Sequence, residues 1–268
     1  MMQILPASAW REFRGPAASK GQNHTTHQAL IADQHGQEHK CYVKASPQGS
    51  PMPFAEAAAW LIAEALDLPR PKFAAVISLP VQKLRQSMPL DQHWTHYTEV
   101  LAFCASSVDG KHITHPWRWL AHIRAAKAFK NADVARIAAF DAWVENQDRH
   151  SGNFLRTRKG DYVPIDNELI LYTLLWVASG LTYVHNSLRM QAKDILTSRG
   201  YLKFEGSMVV AANRHETALT SAWPSLQRLI AAMVPDPARQ VALTGDILQF
   251  LSQRAHPDWL ANELGRIS

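Results

Sequence analysis

Three oxygen-bearing side chains in one short stretch are the residues of this chain best suited to chemistry. Asp148 lies in a loop after a helix-like segment, Asn153 follows five residues later, and Asp166 comes after a hairpin-like segment. Phosphotransferases use this order, with one Asp orienting the attacking hydroxyl and an amide and a second carboxylate binding Mg²⁺. Since Mg²⁺ prefers oxygen ligands, Asn153 and Asp166 are the predicted metal ligands and Asp148 the predicted catalytic residue.

Two further residues share this loop. The planar guanidinium of Arg149 matches anionic oxygens, so it is expected either to neutralise the clustered carboxylates or to bind a phosphate. For His150 we favour a structural role, in which the imidazole packs and hydrogen-bonds the loop into shape.

A cation for a phosphate is predicted upstream at Lys44, the last polar residue of a strand-like run. An interior-facing Lys is costly unless it is paired, and Glu56 in the following helix is the predicted partner, with Glu64 as a competitor. The pair would hold Lys44 on the α- and β-phosphates of a nucleotide, so both residues join Asp148 in the catalytic set. The alternative is that both charges are solvated.

A flexible phosphate-covering loop is expected between Gly15 and Thr25. Gly21 and Asn23 are its predicted nucleotide-binding residues. The segment matches neither G-x-G-x-x-G nor a Walker sequence, so it is equally consistent with an ordinary connecting loop.

The first third of the chain predicts a small sheet with one helix packed on it. Alternating apolar residues and turn signals indicate strands, and apolar residues at helical spacing indicate one helix that stops before Pro69. The predicted strands are Gln28–Asp33 and Lys40–Ala45, joined by a turn at His35–Gln37, together with Phe73–Leu79 and Glu99–Ala105; the helix is Phe54–Leu66.

After Gly110 the pattern becomes mainly helical. Helices are predicted at Trp117–Phe129 and at Asp133–Glu145, the second with Asp133 as its cap. A hairpin of Asn153–Arg158 and Tyr162–Ile165 follows. The remainder is predicted to be helical, with breaks at Gly180, Gly200, Gly206 and Pro235. These elements predict an α+β protein with an N-terminal lobe of residues 1–105 and a helical C-terminal lobe of residues 106–268.

Composition narrows the class of partner. Hydrophobic residues make up 47% of the 268 and charged residues 19%, as in a folded globular protein. The net charge of +5 favours an anionic partner, but the cations are scattered, so a solvated basic surface is preferred to a nucleic-acid interface, and a nucleoside triphosphate is an equally natural anionic ligand. Cys41 and Cys104 stand far apart as expected buried hydrophobes, and no secretory or membrane-spanning segment is evident. A cytoplasmic location and no membrane partner are expected.

The combined motifs resemble those of the HipA-like kinase family, in particular its compact members. The matching text is Tyr42–Gly49, Glu56 with its helix, Leu66–Pro69, Phe140–Asn153 and Ile165–Asp166. The Asp-Arg-His-x-x-Asn core is also similar to that of phosphoinositide kinases, which are distant relatives. The resemblance spans roughly residues 21–171, and one departure is Asn167-Glu168, where related kinases have His or Phe and then Gly.

The resemblance implies a two-lobed protein-kinase-like fold and phosphorylation that depends on ATP and Mg²⁺, often of a protein Ser or Thr. It also implies, for some members, the toxin half of a toxin–antitoxin pair, and therefore a protein substrate and an antitoxin as partners. By position, Asp148 is catalytic, Asn153 and Asp166 bind the metal, and Lys44 binds the ATP phosphates. The segment 102–107 binds adenine through its backbone, with Ala102, Phe103 and Cys104 as its predicted contacts.

Other functions stay open from the sequence. One is a pseudokinase or nucleotide-binding regulatory module, which the Asn167-Glu168 pair leaves open. A second is a kinase for a lipid or small-molecule hydroxyl. The least favoured is metal-dependent hydrolysis through the pairs His93/His96 and His112/His115, since no H-E-x-x-H is present.

Overall fold

The computed structural model describes residues 2–17, 25–47, 49–114, 117–177 and 185–266. Its contacts divide the chain into two units, Met1–Ala57 with Pro71–Ser107 and Ala58–Arg70 with Val108–Ser268. The first unit is built on a sheet and the second, larger one is mainly helical. The predicted α+β class is therefore confirmed.

Among the described residues, the sheet unit contains six strands in the order β1-β5-β6-β4-β3-β2, and only β1 and β5 of these are parallel neighbours. On β4 the side chains alternate, with Cys41, Val43 and Ala45 buried on one face. The strands are β1 (Gln3–Leu5), β2 (Trp10–Pro16), β3 (His27–Ala32), β4 (Glu38–Ala45), β5 (Ala74–Pro80) and β6 (Glu99–Ser106).

The predicted hairpin between β3 and β4 is confirmed, and side-chain chemistry explains its turn. Oδ1 of Asp33 accepts hydrogen bonds from the backbone N–H of His35 at 2.8 Å and of Gln37 at 2.9 Å. Gly36 has φ of 80°, a left-handed conformation that Gly adopts without a Cβ clash. The register of the two strands is fixed by this turn.

One face of the sheet carries an apolar core that also includes residues of helix α2 (Val81–Ser87). Both cysteines belong to this core, as predicted, and burial raises the pKa of the Cys41 thiol to about 12. A thiol with so high a pKa is not a nucleophile at neutral pH. The cysteines therefore act as small apolar residues.

Helix α1 (Met52–Ala65) begins two residues earlier than predicted, and the boundary between the two units falls within it. The helical unit adds α3 (Arg118–Ala128), α4 (Ala132–Trp143), α5 (Tyr172–Leu175), α6 (Leu188–Ile195), α7 (Ser198–Ala212), α8 (His215–Met233), α9 (Pro237–Ala255) and α10 (Pro257–Glu263). A small sheet, in the order β7-β8-β9, is formed by β7 (Gly110–His112), β8 (Phe154–Thr157) and β9 (Tyr162–Pro164), and it confirms the second predicted hairpin. Helix α4 packs on α7, and α8 packs on α9.

Three local predictions in the helical unit need comment. Asn131, rather than Asp133, caps α4, because its side chain accepts a hydrogen bond from the Asp133 N–H at 2.8 Å. The breaks predicted at Gly200 and Gly206 are wrong, since α7 runs through both; a helical Gly costs only about 1 kcal/mol. Pro235 does separate α8 from α9, and Gly180 lies outside the described residues.

In the described part of the chain, every helix is too short or too polar to cross a lipid bilayer.

Candidate active site

The loop of residues 146–153 begins where α4 ends, and Asn146 fixes its first turn. Its Nδ2 donates to Oδ1 of Asp141 at 3.0 Å, and its Oδ1 accepts from the N–H of Asp148 at 3.2 Å. An amide that bonds a helix carboxylate on one side and a loop N–H on the other sets the direction of the chain. The last turns of α4 therefore determine the position of Asp148.

Arg149 is fully buried at the centre of the loop, and all five of its N–H groups have acceptors. Nε and one Nη2 hydrogen face the Asp141 carboxylate, with Nε 3.0 Å from Oδ2. Nη1 donates to the backbone oxygens of Asn153 at 3.3 Å and Ile165 at 2.6 Å, and Nη2 also donates to Oδ1 of Asn167. Of the two predicted roles, neutralising a carboxylate is the one seen; no N–H remains for a phosphate.

The Asp141 carboxylate is the counter-charge that allows the Arg149 guanidinium to be buried. Burial raises the pKa of the Asp141 carboxyl, and the guanidinium of Arg149 and the amide of Asn146 oppose that rise. A buried ion pair requires such additional hydrogen bonds to offset the loss of hydration.

The network holds the two predicted metal ligands near each other in the fold. Arg149 bonds the carbonyl of Asn153 and the carbonyl of Ile165, the residue before Asp166, and the Ile165 N–H donates to Asn153 O at 3.0 Å. The start and end of the β8–β9 hairpin are thus joined. Asn153 and Ile165, the residue before Asp166, are therefore bound to one guanidinium although they lie at opposite ends of the hairpin.

Asp148 and Asn153 are linked directly. Nδ2 of Asn153 donates to the backbone oxygen of Asp148 at 2.9 Å, so Oδ1 is the atom of that amide that could bind a metal ion. Oδ1 of Asp148 accepts from Nδ2 of Asn186 at 2.9 Å, and the side chain is partly exposed. The carboxylate is held in one orientation while part of it still reaches solvent.

His150 has the contacts of a structural residue. Its Nδ1 accepts a hydrogen bond from the N–H of Gly152 at 2.9 Å and caps a short 3₁₀ turn of Ser151–Asn153. A Cβ on Gly152 would stand 2.7 Å from the His150 ring, so only Gly fits this turn. The turn brings Asn153 to the start of β8.

Asp166 is one of four non-Gly residues with positive φ among those the structure describes, at 63°. Asp tolerates this left-handed conformation better than most residues, at a cost of about 1–2 kcal/mol. The next residue, Asn167, is bound to Arg149, which fixes the backbone at this point in the absence of the Gly that the sequence resemblance led us to expect. Carboxylate oxygens of Asp166 and Glu168 lie within 4.8 Å of each other.

The oxygen donors of this loop fit the chemistry of Mg²⁺. Asn153 offers an amide oxygen, Asp166 a carboxylate, and Glu168 a further carboxylate that the sequence did not predict. Hard, anionic oxygens of this kind suit Mg²⁺ better than a soft or borderline metal.

In the sheet unit, Lys44 of β4 and Glu56 of α1 form the predicted ion pair through Nζ and Oε1. The Glu56 side chain is almost fully buried and that of Lys44 is 17% exposed, which excludes the alternative of two solvated charges. The competitor Glu64 pairs instead with Arg70 at 3.0 Å.

The predicted nucleotide contacts on β6 need correction. Ala102, Phe103 and Cys104 lie opposite residues of β4 on one side and of β5 on the other. Strands paired on both sides use their backbone N–H and C=O groups in the sheet. That pairing is incompatible with adenine binding through the backbone of these three residues. Gly21 and Asn23 lie outside the described residues.

Two residues that position the loop were not predicted, Asn186 and Gln191. Nε2 of Gln191, on α6, donates to the backbone oxygen of Arg149 at 3.1 Å, and its Oε1 accepts from the Ser151 N–H at 3.1 Å. Both residues lie more than thirty positions beyond the loop, and no sequence signal linked them to it.

The histidine pairs considered for hydrolysis receive no support from the described part of the chain. No group of three metal-binding side chains there contains a histidine. His115 and the side chain of His93 lie outside the described residues.

No family model and no curated protein matches this chain in sequence. Among solved structures, the chain is similar to the crystal structure of a Helicobacter pylori proinflammatory kinase, CtkA, with a TM-score of 0.53 and 14% identity. The similarity covers 99% of this chain and 100% of that one. With an N-terminal sheet and a larger helical C-terminal part, the chain has a kinase-like fold.

Proposed function

We propose that this protein is a kinase that transfers the γ-phosphoryl group of ATP to a hydroxyl in a reaction that depends on Mg²⁺. The observation that carries the proposal is the hydrogen-bond network around Arg149, whose buried side chain bonds Asn153 and the residue before Asp166, while the Asn153 amide bonds Asp148. Phosphoryl transfer needs positioned oxygen groups more than reactive ones. A fully satisfied network provides that positioning.

Each residue then has a separate role. Asp148, oriented by Asn186, accepts a hydrogen bond from the attacking hydroxyl and takes its proton. Asn153 and Asp166 would hold Mg²⁺, with Glu168 as a further oxygen donor. When bound, the metal supplies positive charge to the phosphate oxygens.

The Lys44–Glu56 pair of the sheet unit is the proposed phosphate-binding element. A buried carboxylate holds the ammonium in one place, and the ammonium brings a point charge suited to phosphate oxygens. We propose a protein Ser or Thr as acceptor, in the manner of the HipA-like family, and a cytoplasmic toxin with an antitoxin partner as the biological setting.

Incubation with Mg²⁺ and ATP labelled at the γ-phosphate tests the proposal. Wild-type protein is expected to label itself or a protein in a lysate, and Asp148→Ala should lower the rate by about 10²–10⁴-fold. Asp166→Ala should abolish label and weaken Mg²⁺ dependence. Asp161→Asn, at the exposed tip of the same hairpin, is the matched control and should behave as wild type.

A wild-type protein that binds no nucleotide would rule out both the kinase and a nucleotide-binding regulator. The second candidate, a pseudokinase, is motivated by Asn167-Glu168 after Asp166. It predicts nucleotide binding without label, and an affinity that Asp148→Ala leaves unchanged. Label on a lipid or small molecule in the same lysate, rather than on protein, would reassign the acceptor.

A further inference from the structure

The helical unit contains a cavity of about 720 Å³ that belongs to no part of the proposed active site. It is lined by α7, by the turn after α1 and by the first residues of α4, whereas the loop of residues 146–153 follows the other end of α4. Small-molecule sites commonly have volumes of roughly 300–1,000 Å³. The cavity is therefore large enough for a small ligand.

The apolar part of the lining is graded from buried to exposed. Leu66 and Leu68 are buried, whereas Val210 on α7 is 70% exposed. An apolar body inserted here would contact the leucines and cover Val210, removing apolar surface from water.

Positive charge accompanies this apolar surface. Arg136, Lys203 and Arg214 line the cavity, and none of its described lining residues is acidic. Nη2 of Arg136 donates to the backbone oxygens of Leu66 at 2.8 Å and Asp67 at 2.6 Å, and Nη1 lies 3.4 Å from Oδ1 of Asp133, so this guanidinium is fixed and already paired. Within the described part of the chain, neither Lys203 nor Arg214 has a carboxylate at ion-pair distance, so their charges are available to a ligand.

Gly206 keeps the cavity open. It lies in the middle of α7, and a Cβ built on it would meet nothing within 4 Å. A mid-helix Gly is less stable than Ala by roughly 0.5–1 kcal/mol, so packing gives no reason for it here. What its missing side chain provides is space in the cavity.

His215, which forms part of the wall, has an unsatisfied nitrogen. The residue is 1% exposed, and its Nδ1 has no hydrogen-bond partner among the described residues. Buried polar atoms without partners are rare in folded proteins, and a bound molecule is one reason for them.

We propose that this cavity binds a small organic anion. Its carboxylate, sulfonate or phosphate group pairs with Lys203 and Arg214, and its apolar body lies on Leu66, Leu68 and Val210. A membrane surface would not reach the two buried leucines, which only a small inserted group can contact. The inference does not depend on kinase activity.

The probe is 8-anilinonaphthalene-1-sulfonate, an aromatic anion whose fluorescence rises in apolar sites, titrated into the full-length protein. We expect saturable binding at one site per chain. Gly206→Leu fills the cavity and, because Leu favours helix, should keep α7 folded while weakening affinity by about tenfold or more. Gly245→Leu is the matched control, since Gly245 is a helical Gly on α9 with no atom near its missing Cβ and lies outside the cavity.

The contribution of the positive charges to binding is tested with the double variant Lys203→Gln/Arg214→Gln. This variant should bind the sulfonate dye about three- to tenfold more weakly than wild type. The uncharged analogue N-phenyl-1-naphthylamine should bind both proteins equally. Unsaturable binding to wild type, equal affinities of Gly206→Leu and Gly245→Leu, or equal loss of both dyes in the double variant would overturn the proposal.

Discussion

The hydrogen-bond network around Arg149 and the cavity lined by α7 differ in how completely their polar groups are satisfied. In the network, every N–H of the buried Arg149 has an acceptor. In the cavity wall, Nδ1 of His215 has no hydrogen-bond partner among the described residues. A complete network positions atoms and gains little from further contacts, whereas an incomplete one has bonding capacity left for a ligand.

The largest effect is expected from removing the centre of the complete network. Arg149→Met removes the donor from the buried Asp141 carboxylate and from the oxygens of Asn153, Ile165 and Asn167. Breaking a buried ion pair in this way should lower the free energy of unfolding by about 3–5 kcal/mol. Urea denaturation followed by circular dichroism measures it.

Arg158→Met is the matched control, because Arg158 pairs with Asp109 on the surface, where both side chains are largely exposed. Its urea midpoint should equal that of wild type, since surface ion pairs contribute little. Equal midpoints for Arg149→Met and Arg158→Met would show that the network around Arg149 is not what holds the loop.

The loop around Arg149 was largely predictable from sequence because most of its residues lie close together in the chain. Asp148, Asn153 and Asp166 follow one another around a short hairpin, and turn residues marked that hairpin correctly. The Lys44–Glu56 pair was found because a strand Lys facing a helix needs a partner. Asn186 and Gln191 were missed because their contacts depend on how α6 packs, which no local pattern encodes.

The cavity was not predictable from the sequence. Gly206 was interpreted as a helix break, since Gly is a weak helix former, yet Thr197 caps α7 and packing on α4 carries the helix through. The prediction that the backbone of Ala102, Phe103 and Cys104 contacts adenine needed correction for a related reason. Their strand is central, and strand order is a tertiary property that the local sequence does not fix.

The next largest effect concerns the pH dependence of stability that the buried His215 of the cavity wall produces. Burial lowers the pKa of His215 to about 3, from 6.5 in an unfolded chain. The unfolded state therefore binds the extra proton first, and stability present above pH 6.5 is lost as the pH falls towards 3. The loss approaches about 1.4 kcal/mol per pH unit, or about 2 kcal/mol at pH 5.

His215→Phe should remove this loss while keeping a ring stacked on Trp143, whose centroid lies 4.4 Å from that of His215. The stability of the variant relative to wild type should then increase as the pH falls from 7.5 to 5 in urea titrations. His122→Phe, at an exposed position of α3, is the control and should run parallel to wild type. A difference between His215→Phe and wild type that does not change with pH would contradict the assignment of a buried, neutral imidazole.

The smallest effect tests whether the complete network extends to α6. In Gln191→Leu the N–H of Ser151 loses the Oε1 acceptor and the carbonyl of Arg149 loses its Nε2 donor, at about 1 kcal/mol per bond. Amide hydrogen exchange at Ser151 should become about fivefold or more faster, which corresponds to that energy. Gln191→Glu keeps the acceptor and loses only the donor, so Ser151 should stay protected while the loop is destabilised by one bond rather than two. Equal exchange rates at Ser151 in the two variants would place Gln191 outside the network. The rigid region would then be limited to the residues that hydrogen-bond to Arg149.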